Sequence, residues 1–178
     1  MAERLLARQP LQASLLDRLR DEQPEQRRDV NQGGHTIEQT KQHVLRDLAW
    51  LLNTVNLEAG VSLQRYPQVQ RSSVNYGVAA LAGKRLSDIE WHTLERAVQS
   101  AILRFEPRIL PHSLQVRCLT EAGDLQQHNV IALLIKAQLW AQPYPRELLV
   151  RTEIDLETSQ IVLQELHQAP EVDVVIDS

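Results

Sequence analysis

Aromatic side chains are scarce in this chain, with three Trp, three Tyr and one Phe among 178 residues. Such rings commonly wall sugar-binding clefts, so their scarcity tells against a glycan-processing groove. Cysteine occurs once, at Cys118, which excludes an internal disulfide and suits a reducing cytoplasm. It falls inside a predicted strand, where a small buried hydrophobe is expected rather than a nucleophile. Concentrated positive charge is also missing. Asp and Glu number 23 against 19 Lys and Arg, a net charge of −4, whereas phosphate binding calls for a basic surface. No nucleic-acid partner is expected. The longest apolar run, Val130 to Ile135, is far short of a membrane span. The first ten residues carry Glu3, Arg4 and Arg8 and lack the apolar centre of a signal peptide. The expectation is a soluble, cytoplasmic protein with no direct membrane insertion.

Catalytic motifs are absent too. There is no Gly-x-Ser-x-Gly, no Cys-x-x-Cys and no His-Glu-x-x-His, and the six histidines show no paired spacing. Gly33-Gly34 does not resemble a phosphate loop. Catalytic residues, metal ligands and cofactors are therefore all read as none.

What is present is helical periodicity first and two-residue alternation later. Length allows one domain with extensions. Leu11, Leu15, Leu16 and Leu19 form a short apolar stripe with Asp17 off it. A helix of about two turns is marginal alone, so Leu15, Leu16 and Leu19 must dock, either on this domain's core, the default, or on a partner. Residues 21–35 are almost devoid of apolar side chains and read as a flexible linker. Thr36 and Gln39 have capping-box spacing, and Ile37, Val44, Leu45, Leu48, Leu51, Leu52 and Val55 then follow helical steps to about residue 54. His43 is read as a structural or exposed histidine, with Asp47 as its ion-pair neighbour. Residues 56–72 look like a surface loop, and Gly77 is a candidate for positive φ. Ser87 and Glu90 suggest a second capping box.

The helix that follows carries Leu94, Ala97, Val98, Ala101, Ile102 and Phe105 on one face. It should stop at Glu106, because Pro107 disfavours the α region for the residue before it. From Leu114 the period is two. Leu114, Val116 and Cys118 share a face, Gly123-Asp124 is a plausible hairpin turn, and residues 129–140 form a long strand. The first half of that strand is apolar on both faces and expected to be covered on both sides. Leu148, Val150, Thr152, Ile154 and Leu156 mark a third strand, and Glu157 to Gln160 turns into a fourth at Ile161-Val162-Leu163. The expected fold is α+β: N-terminal helices, then a small, mainly antiparallel sheet of about four strands with helices on one face. The divisions are an N-terminal extension over 1–35, with a docking helix at 11–20, an α+β domain over 36–166, and an acidic tail over 167–178.

Glu106-Pro107-Arg108 sets an acid and a base on a rigid corner. As a glycosidase acid, Glu106 would need a raised pKa and a second carboxylate across a cleft. A cation two residues away favours the ionised form instead, and no second carboxylate is singled out. A structural reading fits better. The two charges pair with each other, or Arg108 offers its planar fork to a partner.

Several stretches together resemble one family. They are Ser14-Leu15-Leu16-Asp17-Arg18-Leu19, Val44 to Thr54, Ser73-Val74-Asn75-Tyr76-Gly77, Ile102 to Ile109 with its Phe-Glu-Pro-Arg, and Leu148 to Thr158. In order and spacing they are similar to the type VI secretion baseplate subunit TssE. That subunit is kin to the sheath-initiating wedge protein of contractile phage tails, a family often labelled lysozyme-like. The resemblance implies a non-enzymatic structural component. Its partners would be the core wedge subunits TssF and TssG, with TssK in the same assembly, and the sheath subunits TssB and TssC. Glu106, Pro107 and Arg108 would contribute to the wedge contact, and the small sheet would offer a strand edge for the first sheath ring. The location implied is the baseplate at the inner face of the cytoplasmic membrane. The competing expectation is a lysozyme-like peptidoglycan hydrolase.

Overall fold

A computed structural model describes residues 14–19, 25, 36–80, 90–119, 130–141, 143–158 and 160–167. Helix α1 spans Leu15–Leu19, α2 Ile37–Leu52, α3 Pro67–Gln70 and α4 Trp91–Phe105. Strands β1 to β4 follow at Gln115–Cys118, Val130–Leu139, Arg146–Asp155 and Ile161–Glu165. The strands lie in sequence order and every neighbouring pair is antiparallel. Helices followed by a four-stranded antiparallel meander is the α+β order that the change of period predicts.

The capping box that opens α2 is complete. Thr36 Oγ1 accepts from the Gln39 N–H at 3.2 Å, and Gln39 Oε1 accepts from the Thr36 N–H at 2.9 Å. Val44, Leu48, Leu51 and Leu52 then face inward. α4 supplies Leu94, Val98, Ala101 and Ile102, and the sheet supplies Ile131, Leu133, Ile135, Leu139, Leu148, Val150 and Ile154. Each large aliphatic side chain buried here is worth about 1.5–3 kcal/mol relative to exposure. α2 packs toward β4 and α4 toward β1, so the helices cover one face of the sheet.

Four expectations need correction. The core is not where the N-terminal leucines rest: Leu15, Leu16 and Leu19 are 70%, 50% and 74% exposed. Their helix is held by its polar side instead, as described below. The opening half of β2 is covered fully on one face only. Ile131 and Leu133 are buried, but Val130, Ala132 and Leu134 are only partly covered. Residues 56–72 contain a 3₁₀ turn, Leu57–Ala59, and the one-turn helix α3 rather than plain loop. Finally, α4 opens on Glu90 as N-cap, with no side-chain capping bond from that residue. Ser87, the Gly123-Asp124 turn, Leu11, the linker apart from Glu25, and the tail after His167 lie outside the described residues.

Gly77 meets its expectation, with φ at +115°. A Cβ there would sit 2.2 Å from the Thr54 carbonyl oxygen. The tight approach lets Val78 N–H donate to Thr54 C=O and Asn56 N–H donate to Val78 C=O, so the chain after α2 closes against this segment.

Candidate functional site

The end of α4 carries the corner into position. Glu106 is its C-cap, and the Glu106 N–H still donates to Ile102 C=O at 2.9 Å. Pro107 then turns the chain outward, fully consistent with its fixed φ and missing donor. Beyond it, the Arg108 carbonyl accepts from Trp140 N–H at 2.8 Å, and Leu110 N–H donates to Gln138 C=O at 2.8 Å. The corner is thereby fastened to the far end of β2 as well as to α4.

The two charges of the corner face each other. Arg108 Nε donates to Glu106 Oε1 at 2.7 Å, its Nη2 donates to Glu106 Oε2 at 2.5 Å, and its backbone N–H donates to Oε1 at 3.1 Å. Glu106 is 3% exposed, so this bidentate fork is what makes a buried carboxylate tolerable. Arg108 reaches further, and its Nη2 donates to Asp47 Oδ2 on α2. Burial works against the charge on Arg108, but the hydrogen bonds and charges of Glu106 and Asp47 outweigh it and raise its pKa. An arginine so placed stays cationic at any accessible pH.

Asp47 passes the network on. Its Oδ1 accepts from Arg46 Nε and Nη2 at 2.9 and 2.7 Å, and Arg46 Nη1 lies 2.6 Å from Asp17 Oδ1 on α1. Asp17 Oδ2 accepts from the Ser14 hydroxyl at 2.6 Å and stands 3.1 Å from His43 Nδ1. Burial disfavours the Asp17 carboxylate, yet hydrogen bonds from Arg46 and Ser14, with the charges of His43 and Arg46, lower its pKa. His43 meets Asp17, and Asp47 bridges Arg46 to Arg108.

The result is one alternating chain of charges, Asp17–Arg46–Asp47–Arg108–Glu106, from the N-terminal helix to the Glu-Pro-Arg corner. Beside it runs an open groove of about 370 Å³, bordered by Ser14, Asp47, Trp50, Tyr76, Phe105 and Pro107. Tyr76 and Phe105 meet edge to face at 5.1 Å, and the Arg46 guanidinium lies 4.9 Å from the Trp50 ring centre. Burial, then the charges of Asp47 and Glu106, raise the Tyr76 pKa, so its hydroxyl stays neutral.

Every site residue inferred from sequence lies on this side of the molecule. Glu106, Pro107 and Arg108 form the corner; Leu15, Leu16 and Leu19 project from the docked helix at the other end of the charge chain. Asp17, Arg46 and Asp47 have no part in the site expected from the sequence. No local spacing announces that residues 47 and 108 meet. Among the described residues no cluster of His, Cys, Asp and Glu could hold a metal ion, and no helix is long and apolar enough to cross a membrane.

No curated protein and no solved structure matches the chain. The family model described as baseplate wedge protein gp25 matches residues 38–144, from the first turn of α2 to just before β3. It therefore spans α2, Asp47, the Gly77 segment, α4, the Glu-Pro-Arg corner, β1 and β2. On that match the chain belongs to the gp25 baseplate wedge family, the family of type VI TssE.

Proposed function

We propose that the chain is a non-enzymatic subunit of a type VI secretion baseplate. It docks on the core wedge subunits TssF and TssG, with TssK in the same assembly, and initiates polymerisation of the TssB and TssC sheath. It works from the cytoplasm, in a baseplate at the inner face of the cytoplasmic membrane. The domain spanning 36–166 carries the wedge and sheath contacts, and the extension before it adds the docking helix.

One observation carries the docking reading. α1 is pinned by its polar side, through Asp17, while Leu15, Leu16 and Leu19 point to solvent. A soluble chain gains nothing by holding a leucine face outward, whereas a helical partner offers it a dry seat. The charge chain fixes that face relative to Pro107 and Arg108, so helix and corner present one composite surface. Glu106 weighs against the hydrolase alternative, because both its oxygens are occupied by Arg108, and the second carboxylate on the groove, Asp47, is itself held by Arg46 and Arg108.

The test is co-purification with the core wedge subunits. Leu15→Ser/Leu16→Ser/Leu19→Ser should leave the melting temperature of the domain unchanged, because these side chains bury little, and should weaken wedge binding by more than tenfold. Full wedge binding by the triple variant would sink the docking reading. Release of muropeptides from purified peptidoglycan by the wild-type protein would sink the non-enzymatic one.

A further inference from the structure

The helices cover one face of the sheet, and the opposite face has an apolar centre of its own. Register sets Leu134 directly between Arg117 on β1 and Arg151 on β3, and sets Leu149 beside Lys136. Strand alternation turns all of these side chains away from Leu133, Ile135 and Val150, which face α2 and α4. Leu149 is 7% exposed and Leu134 half-buried, while Val162 beside Glu153 is 64% exposed. Three cations therefore flank two leucines on the face turned away from the helices.

The acids of that face leave those cations under-used. Lys136 Nζ lies 3.3 Å from Glu147 Oε1, and Arg151 Nη2 lies 3.2 Å from Glu153 Oε1. Every side chain in these two pairs is at least 43% exposed, so each pair holds its cation weakly. Asp155 Oδ1 is turned to backbone, accepting from the Glu157 and Thr158 N–H groups at 2.7 and 3.1 Å. Arg117 is exposed and has no partner among the described residues. Arg151 Nε is buried without a hydrogen-bond partner. A buried donor left unpaired is costly, so Arg151 calls for an acceptor.

We infer that the chain's own acidic segment Glu171-Val172-Asp173-Val174-Val175-Ile176-Asp177 lies back across this face as its cover, with its carboxylates on Arg117, Lys136 and Arg151. The segment lies outside the described residues, and charge, pattern and tether assign it here. It carries three acids and no cation, against a centre that is cationic. In an extended chain Val172, Val174 and Ile176 turn one way and Glu171, Asp173 and Asp177 the other. With the apolar side seated on Leu134 and Leu149, the carboxylates stand where long Arg and Lys stems can raise their charged heads. The tether is short and well placed. Leu166 N–H donates to Leu149 C=O at 2.8 Å, so β4 ends at the margin of the apolar centre. Residues 167–171 can span about 17 Å, and β2 is two strand spacings, roughly 10 Å, from β4. An attached segment acts at an effective concentration of about millimolar, which an acidic loop of another molecule would have to match.

NMR of the nitrogen-labelled full-length protein tests the cover, because backbone amides and arginine Nε–H groups both give signals. In Glu171→Lys/Asp173→Lys/Asp177→Lys the amide signals of Leu134, Leu149 and Arg151 should shift, while those of Val44 and Val98 on the helices stay in place. The Arg151 Nε–H should exchange with water roughly fivefold faster or more. Salt at about 1 M, where the screening length falls to roughly 3 Å, should shift the same signals in the wild-type protein and leave the variant unmoved. The variant should melt within about 3 °C of wild type, so the comparison is between two folded proteins. Identical signals from Leu134, Leu149 and Arg151 in the two proteins would overturn the inference. Shifts confined to Leu163 and Glu165 would put the segment along the β4 edge, and wild-type shifts that grow with protein concentration would assign it to a second copy. Either of those results overturns the inference as well.

Discussion

Arg108 Nη2 bonds Asp47 Oδ2, a residue 61 positions earlier in the chain, and through it the Glu-Pro-Arg corner is tied to α2. This relationship changes what substitutions at the corner report. A corner built only for a partner would tolerate loss of Arg108 in the free protein. Here Arg108 neutralises Glu106, which has almost no water to turn to.

Arg108→Ala should therefore destabilise the isolated protein, toward the lower end of the roughly 3–5 kcal/mol for removing one member of a buried pair. Asp47→Asn weakens the contacts to both Arg108 and Arg46, on a side chain that is 24% exposed, and should cost about 1.5 kcal/mol. Urea denaturation checks both, with the midpoint shifting and the slope unchanged. Equal midpoints for Arg108→Ala and wild type would show that the fork does no bracing. It follows that lost wedge binding in a corner variant is informative only alongside its stability, which is why the leucines make the cleaner test.

Acid should release α1 before it unfolds the domain. The Asp17 pKa is lowered from its ordinary 3.8, so its contribution is complete above that value and is lost as pH falls through the lower, folded-state value. The helix should stay docked from neutral pH down to about 4 and detach below it. Trp50 reports the event, since Arg46 links its ring to Asp17. Its fluorescence should change in that acid window, and Asp17→Asn should give the detached signal already at pH 7. A change centred near pH 6 would implicate a different group.

The fold was largely legible because its strongest signals are periodic and local. Val44, Leu48, Leu51 and Leu52 repeat at helical steps, Leu148, Val150, Thr152 and Ile154 alternate, and Thr36 with Gln39 announces a helix start. Each pattern states which face is buried. The site was legible only at Glu106-Pro107-Arg108, where proline makes a local event. Asp17, Arg46 and Asp47 were out of reach because their meaning lies in contacts between elements distant in sequence. The leucines of α1 show the same limit from the other side. Periodicity revealed an apolar face but not its direction, and a single carboxylate at Asp17 turned it outward.

Gly77→Ala should be among the most damaging single-methyl additions in the chain. The position combines φ of +115° with a backbone carbonyl 2.2 Å from where the Cβ would stand. The conformation alone costs about 1–3 kcal/mol for a residue with a side chain, and the Thr54 oxygen belongs to backbone that cannot swing aside. The loss should exceed 3 kcal/mol in urea unfolding, on the order of two to three times the ordinary substitution. A neutral result would mean the Thr54–Val78 closure is dispensable.

Asn53→Ala removes three bonds at once: those to the Ile161 N–H and C=O, and the donation to Ala49 C=O that finishes α2. Ile161 is 9% exposed, so its freed backbone groups are only partly recovered by water. A cost of about 2 kcal/mol is expected, a sum of modest net bonds with one incompletely solvated pair. The damage should be local. Amide exchange should quicken at least tenfold at Ile161 and Asp155, where β4 begins, and stay unchanged along β1 and β2, which α4 and the corner hold independently. Asn53→Asp separates the two halves of the clamp. It keeps an acceptor for the Ile161 N–H but sets a carboxylate oxygen against the Ile161 carbonyl, so it should be no better than alanine at neutral pH. If the aspartate variant instead matched wild type, the single bond to the N–H would be enough to hold β4 there, and the amide's second bond would be incidental.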